Sequence, residues 1–332
     1  MSRRADTVGI VGAGTFGTAL GSVLARAGRR VILWSRDRAI VDAIQTTRRS
    51  PRLHAAALPE PLEATADPRW LAEQARFLVL AVSSQDVRDR SRELGDVLDG
   101  SHIVVHAIGA LAAPTNERVS EVMLRGMATQ KVGVIAGPSL PDDLVEDLSV
   151  YHSASLVIAS RFDDVVAEGR RLLNAPPGLR VYTSKDLIGV ELASALSGAY
   201  TVALGMADGL GIGAGPRAVL VTRAVAEASR LGQAAGAEPR TFAGLAGLGN
   251  LLVRATGDRS QDYVLGRRLV HGIATADRAS TEGARAALAG LELANSLRVR
   301  VPVLQGIAAV IAGALEPRVA AQQIGDTVAE AE

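Results

Sequence analysis

The segment TVGIVGAGTFGTAL, residues 7–20, decides the fold of this chain. Its first five residues form an apolar run typical of a buried strand, and the spacing Gly-x-Gly-x-x-Gly follows before a helical apolar pattern begins. Gly12 permits a tight turn, Gly14 lets the backbone approach a pyrophosphate, and Gly17 lets the helix pack closely on the strand. The free amide groups at the helix start would then face phosphate oxygens. The segment therefore predicts a strand–turn–helix unit that binds a dinucleotide.

Strands and helices continue to alternate through the first half of the chain. The runs that predict further strands are Arg30 to Trp34, Phe77 to Val82, His102 to His106, Lys131 to Ile135, Ser155 to Ala159 and Arg180 to Thr183. Ligands of open parallel sheets bind at the carboxyl ends of the strands, so we expect cofactor contacts just after these runs. The pattern predicts an α/β fold, with a Rossmann-type doubly wound parallel sheet over residues 1–187.

Candidate cofactor contacts follow the first two strands. They are Gly12, Gly14, Thr15, Phe16 and Gly17 in the first turn, and Trp34, Ser35 and Arg36 at the end of the second strand. The second strand does not end in the acidic residue that would bind a ribose 2′-hydroxyl. Arg36 could stack on adenine or accept a 2′-phosphate, and the alternative is a solvated arginine in a turn. The sequence predicts NAD or NADP and does not decide between them.

Strand signals stop near Leu187, and helical patterns rich in Ala and Leu follow. These patterns cover Gly189 to Asp208, Pro216 to Ala235, Thr241 to Ala255 and Ser280 to Leu297. The second half is therefore predicted to be an all-helical C-terminal domain over residues 188–332. Its frequent glycines indicate close contacts between helices or between a helix and a cofactor.

Composition and charge exclude several classes of function. The 332 residues include 36 basic and 35 acidic residues, so the chain lacks the excess of positive charge that is typical of proteins that bind nucleic acid. No cysteine is present, which excludes disulfides and cysteine-based metal sites. The N-terminus lacks the apolar core of a signal peptide, and Ile307 to Leu315 is far shorter than the roughly 18 residues of a membrane span. We therefore expect a cytoplasmic protein without a membrane span. No metal site is predicted, because a solvated helix start accounts for Asp142, Asp143, Glu146 and Asp147.

Several segments in order resemble the bacterial-type NAD(P)-dependent glycerol-3-phosphate dehydrogenase family, from Val8 to about residue 315. They are GIVGAGTFGTAL (9–20), VILWSRD (31–37), IAGPS (135–139), RVYTSKDLIGVEL (180–192), DGLGIGAGPRAVLVTRAVAEASRLG (208–232) and FAGLAGLGN (242–250). The resemblance implies hydride transfer between nicotinamide and the central carbon of dihydroxyacetone phosphate or glycerol 3-phosphate. It also implies that Val82 and Ser83 lie near the nicotinamide side of the cofactor and that Glu282 lies near the cofactor.

The charged site residues of that family are missing at the matching positions. The lysine of a Thr-Lys-Gly turn falls at Ile108, and the second lysine, in the first long helix, falls at Ser197. The family's aspartate becomes Asn250, and a nearby threonine becomes Arg254. The family's Ser-Arg-Asn triplet reads Ser260-Gln261-Asp262, where the aspartate would repel a phosphate dianion. No residue is assigned as catalytic.

Three functions are compatible with this pattern. The first is a catalytically degenerate homologue that binds NAD(P) and acts as a regulatory or partner-binding pseudoenzyme, since the charge needed by a developing alkoxide is absent. The second is an active NAD(P)-dependent oxidoreductase on glycerol 3-phosphate, dihydroxyacetone phosphate or another small hydroxy acid, with His106 as acid–base group and Arg254 binding a carboxylate. In the third, the helical half is a homodimer interface and the nucleotide site is vestigial. A homodimer is expected.

Overall fold

The chain forms two units in the computed structural model, which describes residues 4, 6–53, 57–145, 153–274 and 277–328. The first unit comprises Met1–Ile108, Val119–Ile135 and Ser139–Leu187. The second comprises Gly109–Arg118, Ala136–Pro138 and Ile188–Glu332. The long helical segment therefore begins at Ile188, and two short loops from the first half of the chain belong to the same unit as these helices.

An eight-stranded sheet forms the centre of the first unit. Its strands are β1 (Thr7–Val11), β2 (Arg30–Trp34), β3 (Leu62–Thr65), β4 (Phe77–Leu80), β5 (Ile103–His106), β6 (Val132–Ala136), β7 (Ala154–Ala159) and β8 (Leu179–Ser184). They lie in the order β3-β2-β1-β4-β5-β6-β7-β8. β1 pairs in parallel with β2 and β4, and β7 pairs in parallel with β8. This confirms the predicted Rossmann-type parallel sheet.

Seven helices accompany these strands in the described part of the first unit. They are α1 (Thr15–Arg26), α2 (Arg38–Thr47), α3 (Pro68–Gln74), α4 (Val87–Gly95), α5 (Val119–Gly126), α6 (Pro141–Val145) and α7 (Asp163–Leu173). All five residues of β1 are buried, because this strand lies inside the sheet with apolar side chains on both faces. The buried face of α1 packs into the same hydrophobic core through Leu20 and Leu24.

β3 was not expected from the sequence. It has only four residues, LEAT, and it lies at the edge of the sheet beside β2. Its burial alternates along the strand, with Leu62 and Ala64 buried and Glu63 and Thr65 half-buried. Two apolar residues in so short a segment give too weak a period to indicate a strand.

The second unit is helical, as predicted. Its helices are α8 (Leu187–Gly209), α9 (Ala214–Ala234), α10 (Asn250–Arg254), α11 (Gln261–His271), α12 (Glu282–Leu297), α13 (Pro302–Ile311) and α14 (Pro317–Val328). Leu187, the first residue of α8, is counted with the first unit.

The single helix predicted over Thr241 to Ala255 is wrong. The structure has a 3-10 turn at Pro239–Ala243, a π turn at Leu245–Gly249 and then α10. Gly244 breaks the helix because its backbone is extended, with φ −90° and ψ −163°. A methyl group on Gly247 would also collide with the carbonyl group of Phe242, so the close turn requires glycine.

α8 is long and apolar enough to cross a membrane by length and hydropathy alone. However, 94% of its most apolar window is buried inside the protein, as in the core helix of a soluble protein. The apolar stretch noted in the sequence, Ile307 to Leu315, is a different segment from α8.

A buried carboxylate joins three helices of the second unit. Glu227 on α9 accepts hydrogen bonds from the backbone amides of Val303 and Leu304, both at 2.9 Å, at the start of α13. Tyr200 on α8 donates its hydroxyl to Glu227 at 3.0 Å, and burial raises the pKa of this phenol. Burial also raises the pKa of Glu227, against the opposing effect of the hydrogen bonds that it accepts.

We expect the stability of the protein to carry a pH dependence that originates at Glu227. Because the pKa of Glu227 is raised in the folded state, there is a pH range above about 4.5, the ordinary glutamate value, in which the folded protein keeps this proton and the unfolded chain has lost it. The contribution of Glu227 to the free energy of unfolding therefore falls as pH rises through its folded pKa. Glu227→Gln should remove this slope, measured by urea unfolding between pH 4.5 and 8 at intervals of about one unit.

Glu227→Ala is the matched comparison. It leaves the Tyr200 hydroxyl and two backbone amides without acceptors and should cost about 2–4 kcal/mol of stability at neutral pH. An unchanged pH slope in the glutamine variant, or an alanine variant as stable as wild type, would contradict this account of the contact.

Candidate functional site

Glycines shape the turn between β1 and α1 for two distinct reasons. Gly12 has φ +117°, in the region that favours glycine, and a side chain there would collide with the carbonyl oxygen of Ala81. A methyl group on Gly17 would collide with the carbonyl oxygen of Gly12. Gly14 differs, because a Cβ at this position has no heavy atom within 4 Å. Packing therefore explains Gly12 and Gly17 but does not explain Gly14.

The start of α1 is open to an external anion. Gly14 is the N-cap residue of this helix, and no side chain caps it. The first amide groups of a helix have no partner within the helix and carry a partial positive charge. An uncapped start at the carboxyl edge of a parallel sheet is the geometry that binds pyrophosphate groups.

The loops after β1, β2 and β4 meet at this edge of the sheet. The Gly12 amide donates to the Trp34 carbonyl oxygen at 2.9 Å, and a Cβ on Gly12 would lie 3.1 Å from Val82 Cγ1. Arg36 Nη2 lies 3.4 Å from the carboxylate of Asp86. The Asp86 amide in turn donates to the Ser83 carbonyl oxygen at 2.9 Å. The structure thus brings together the predicted contacts from three separate segments.

The remaining predicted contacts of the first unit hold the local backbone. Thr15 donates its hydroxyl to the Arg52 carbonyl oxygen at 3.1 Å, and Phe16 packs against the hydrophobic core. The Ser35 amide donates to the Thr65 carbonyl oxygen at 3.0 Å. Their role toward a cofactor stays a prediction.

The end of β2 carries positive charge and no acidic group for a ribose. Asp37 accepts a hydrogen bond from the Ala39 amide at 3.0 Å and so caps α2. A second arginine, Arg90, was missed by the sequence analysis and lies 5.6 Å from the centroid of the Trp34 ring. Burial lowers the pKa of Arg90, and the positive charge of Arg36 lowers it further.

In the second unit, four side chains form a connected polar cluster. Asn250 donates its amide to Ser197 Oγ at 2.8 Å, and Ser197 donates its hydroxyl to the Ser194 carbonyl oxygen at 2.8 Å. Arg254 donates Nε to Asn250 Oδ1 at 2.9 Å and Nη1 to Asp262 Oδ2 at 3.1 Å. We call Ser197, Asn250, Arg254 and Asp262 the helical cluster.

Two glycines allow the helical cluster to close. The Gly283 amide donates to Asp262 Oδ1 at 2.9 Å, so the buried carboxylate accepts on both oxygens. A methyl group on Gly283 would collide with the carbonyl oxygen of Gly198 and with Asp262. Small residues on both helices are therefore required for this contact. Glu282, the preceding residue, pairs with Arg285 at 2.8 Å.

The segment after β5 is apolar and buried in the first unit. Ile108 is buried, and its amide lies 3.3 Å from Nδ1 of His106, which is also buried. This hydrogen bond ties the imidazole to its own turn. The geometry thus gives no support to the predicted acid–base role of His106.

No group of three or more potential metal ligands occurs among residues 4, 6–53, 57–145, 153–274 and 277–328. Asp142 lies in α6, and the sequence analysis placed it with Asp143 at a solvated helix start. The other two members of that acidic group, Glu146 and Asp147, lie outside the described residues.

Two family models match the chain. The model of the N-terminus of NAD-dependent glycerol-3-phosphate dehydrogenase matches residues 7–163, and that of its C-terminus matches residues 186–322. A glycerol-3-phosphate dehydrogenase (NAD(P)+) from Parafrankia sp. is 35% identical over 93% of each chain. The corresponding protein of Streptomyces coelicolor is 33% identical over 95% of each chain.

Solved structures of glycerol-3-phosphate dehydrogenases are also similar to this chain. The crystal structure of glycerol-3-phosphate dehydrogenase from Coxiella burnetii is 28% identical, has a TM-score of 0.89, and matches over 97% of this chain and 99% of its own. The enzyme from Saccharomyces cerevisiae is 16% identical with a TM-score of 0.79, a likeness in fold. The chain belongs to the NAD-dependent glycerol-3-phosphate dehydrogenase family.

Proposed function

We propose that this protein binds NAD or NADP but does not transfer hydride to dihydroxyacetone phosphate, and that it acts as a regulatory or partner-binding member of its family. One observation carries the proposal. The positions that the sequence resemblance equates with the family's two lysines hold Ile108 and Ser197, both uncharged and buried. Ser197 is held by a hydrogen bond from Asn250, so a neutral pair fills this position.

Cofactor binding is supported by the first unit and by the relatives. The uncapped start of α1, the bare Gly14 and the positive Arg36 suit a pyrophosphate and an adenosine group. Relatives that are 33–35% identical carry NAD(P)+ in their names. Asp37, three residues after β2, caps α2, and Asp86 pairs with Arg36, so these carboxylates leave the choice between NAD and NADP open.

The proposed loss of hydride transfer rests on the absence of positive charge at positions 108 and 197. When a hydride reaches a carbonyl carbon, negative charge develops on the oxygen, and a cation or hydrogen-bond donor must stabilise it. Removal of a single such donor typically costs about 100- to 1,000-fold in rate. Neither the Ile108 side chain nor the neutral Ser197 hydroxyl supplies a positive charge.

The substitutions are coupled in a way that random decay does not explain. The resemblance places a family lysine at position 197 and a family aspartate at position 250, where this chain has two neutral residues joined by a hydrogen bond, Ser197 and Asn250. The opposite change occurs at Arg254 and Asp262, where a neutral threonine and asparagine become an ion pair of 3.1 Å. Loss of one member of a buried ion pair typically costs about 3–5 kcal/mol, which favours a joint change of both members over a single change.

We expect Gly14→Ala to separate cofactor binding from folding. The added methyl group has no neighbour within 4 Å and the backbone is extended, so the free energy of unfolding should change by less than about 0.5 kcal/mol. Close approach of a pyrophosphate would be blocked, so the Kd of NADH or NADPH in calorimetry should rise roughly tenfold or more. Gly17→Ala is the contrasting control, because its methyl group meets the Gly12 carbonyl oxygen and should destabilise the protein itself by about 1–3 kcal/mol. Unchanged affinity in the Gly14 variant would contradict the site.

The expected catalytic result is an absence of turnover. Purified protein with NADH or NADPH and dihydroxyacetone phosphate should show no change in nicotinamide absorbance under conditions in which the cofactor binds. The reverse reaction with glycerol 3-phosphate should be equally silent. A rate within a factor of ten of the ordinary enzyme turnover of about 10 per second would overturn the proposal.

A double-mutant cycle at Ser197 and Asn250 tests the paired exchange. Ser197→Lys alone places an unpaired charge in a buried position and should cost about 3–5 kcal/mol. Asn250→Asp alone should cost less, because Arg254 Nε already faces Oδ1. The double variant should recover a coupling free energy of about 1–3 kcal/mol, measured by urea unfolding. Additive effects of the two substitutions would argue against an exchanged pair.

An active oxidoreductase with a changed substrate is the second candidate, and Arg254 favours it. This guanidinium is a cation that the family pattern lacks at the same position, and its side chain is 24% exposed. Arginine suits a carboxylate, so small hydroxy acids are the substrates to test with both cofactors in an absorbance assay. Oxidation of one of them at an ordinary rate would favour this candidate over the first.

A further inference from the structure

The guanidinium of Arg254 is fixed in place on two of its three nitrogens. Nε donates to Asn250 and Nη1 donates to Asp262, which is itself held by the Gly283 amide. The third nitrogen, Nη2, has no hydrogen-bond partner among the described residues. A rigid guanidinium with one unused edge loses little conformational entropy when it binds a ligand.

Nη2 shares its surroundings with a second unused donor. A Cβ on Gly109 would lie 3.3 Å from Arg254 Nη2 and 3.5 Å from Ser194 Oγ. Within the described part of the chain, the Ser194 hydroxyl likewise has no hydrogen-bond partner. Two donors therefore border the same bare backbone, and any side chain at position 109 would cover them. We call Gly109, Ser194 and Arg254 the donor cradle.

Glycine at position 109 is not demanded by its backbone. Its φ does not fall in the left-handed region that favours glycine, in contrast to Gly12. The space beside its Cα is bordered by the Arg254 guanidinium and the Ser194 hydroxyl. The absence of a side chain thus has a consequence for access rather than for folding.

The charges around the donor cradle select the kind of anion. Asp262 lies 3.1 Å from the same guanidinium and neutralises part of its charge. Glu191, on the same helix as Ser194, is buried and pairs with Arg118 at 3.0 Å. A phosphate dianion would meet the Asp262 carboxylate beside a partly neutralised guanidinium, whereas a monoanionic carboxylate needs one guanidinium edge and one hydroxyl donor.

We propose that the donor cradle binds the carboxylate group of a small organic acid, with Arg254 Nη2 and Ser194 Oγ as the donors. The inference goes beyond the proposed function. It shares with that proposal one assumption, that Ile108 and Ser197 stand where the family has lysines. It holds whether or not the bound acid is turned over. Because all three residues belong to the second unit, it does not depend on a bound nicotinamide cofactor.

Calorimetric titration of the full chain with pyruvate, at fixed ionic strength and without nicotinamide cofactor, tests the proposal. Wild type should bind pyruvate more tightly than inorganic phosphate or chloride. Arg254→Gln should raise the Kd of pyruvate roughly tenfold or more, since it removes a charged hydrogen bond. Because Arg254→Gln also removes the partner of Asp262, Gly109→Ala is the second variant, which fills the cradle and leaves the ion pair in place.

Arg240→Gln is the matched control. Arg240 is an exposed arginine of the second unit that pairs with Glu238, so its substitution should leave pyruvate binding unchanged. Circular dichroism of each variant checks that it is folded. No heat with pyruvate in wild type, tighter binding of phosphate than of pyruvate, or full binding by a folded Gly109→Ala variant would overturn the inference. A wild type that binds NADH but not pyruvate would overturn this inference alone.

Discussion

A buried carboxylate organises the polar centre of the second unit. Asp262 is only 4% exposed, and an isolated charge in such a position would be strongly unfavourable. Arg254 and the Gly283 amide neutralise and solvate it, which fixes the guanidinium. The fixed Nε then requires an acceptor in Asn250, whose amide in turn donates to Ser197. Each group satisfies the next, so a lysine at position 197 would have to break a complete network.

The fold of the first unit does not depend on these polar groups. The strand–turn–helix unit is set by steric constraints, in which Gly12 and Gly17 allow backbone groups to approach each other. The sheet is held by parallel pairing of buried apolar strands, and none of its interactions requires a cation at position 108 or 197. Retention of the family fold is therefore no measure of retained chemistry, because packing and charge stabilisation place demands on different residues.

Local patterns made most of the fold predictable from the sequence. The glycine turn and the buried strands have strong apolar and glycine signals, and their bounds differ from the structure by one or two residues. β3 and the break at Gly244 were missed, because a four-residue edge strand and a single extended glycine alter no period. The predicted cofactor positions came from the motif. The contact of Arg90 with Trp34 joins residues far apart in the sequence, and the Arg254–Asp262 pair joins two different helices. Such pairs leave no periodic signal in the sequence.

The charge at the family's site positions constrains what this protein can recognise. In the family pattern that the sequence resemblance implies, cations stand where this chain has Ile108 and Gln261, and neutral residues stand where it has the ion pair of Arg254 and Asp262. The changes at Ser197 and Asn250 cancel in charge, and so do those at Arg254 and Asp262. The changes at Ile108 and Gln261 do not cancel, so these positions together carry two fewer positive charges than the family pattern. A dianionic phosphate loses the most from that change, because its binding scales with uncompensated positive charge, whereas a monoanion needs only one directed donor edge. This charge difference is the reason why the donor cradle proposed above is assigned a monoanionic carboxylate rather than a phosphate dianion.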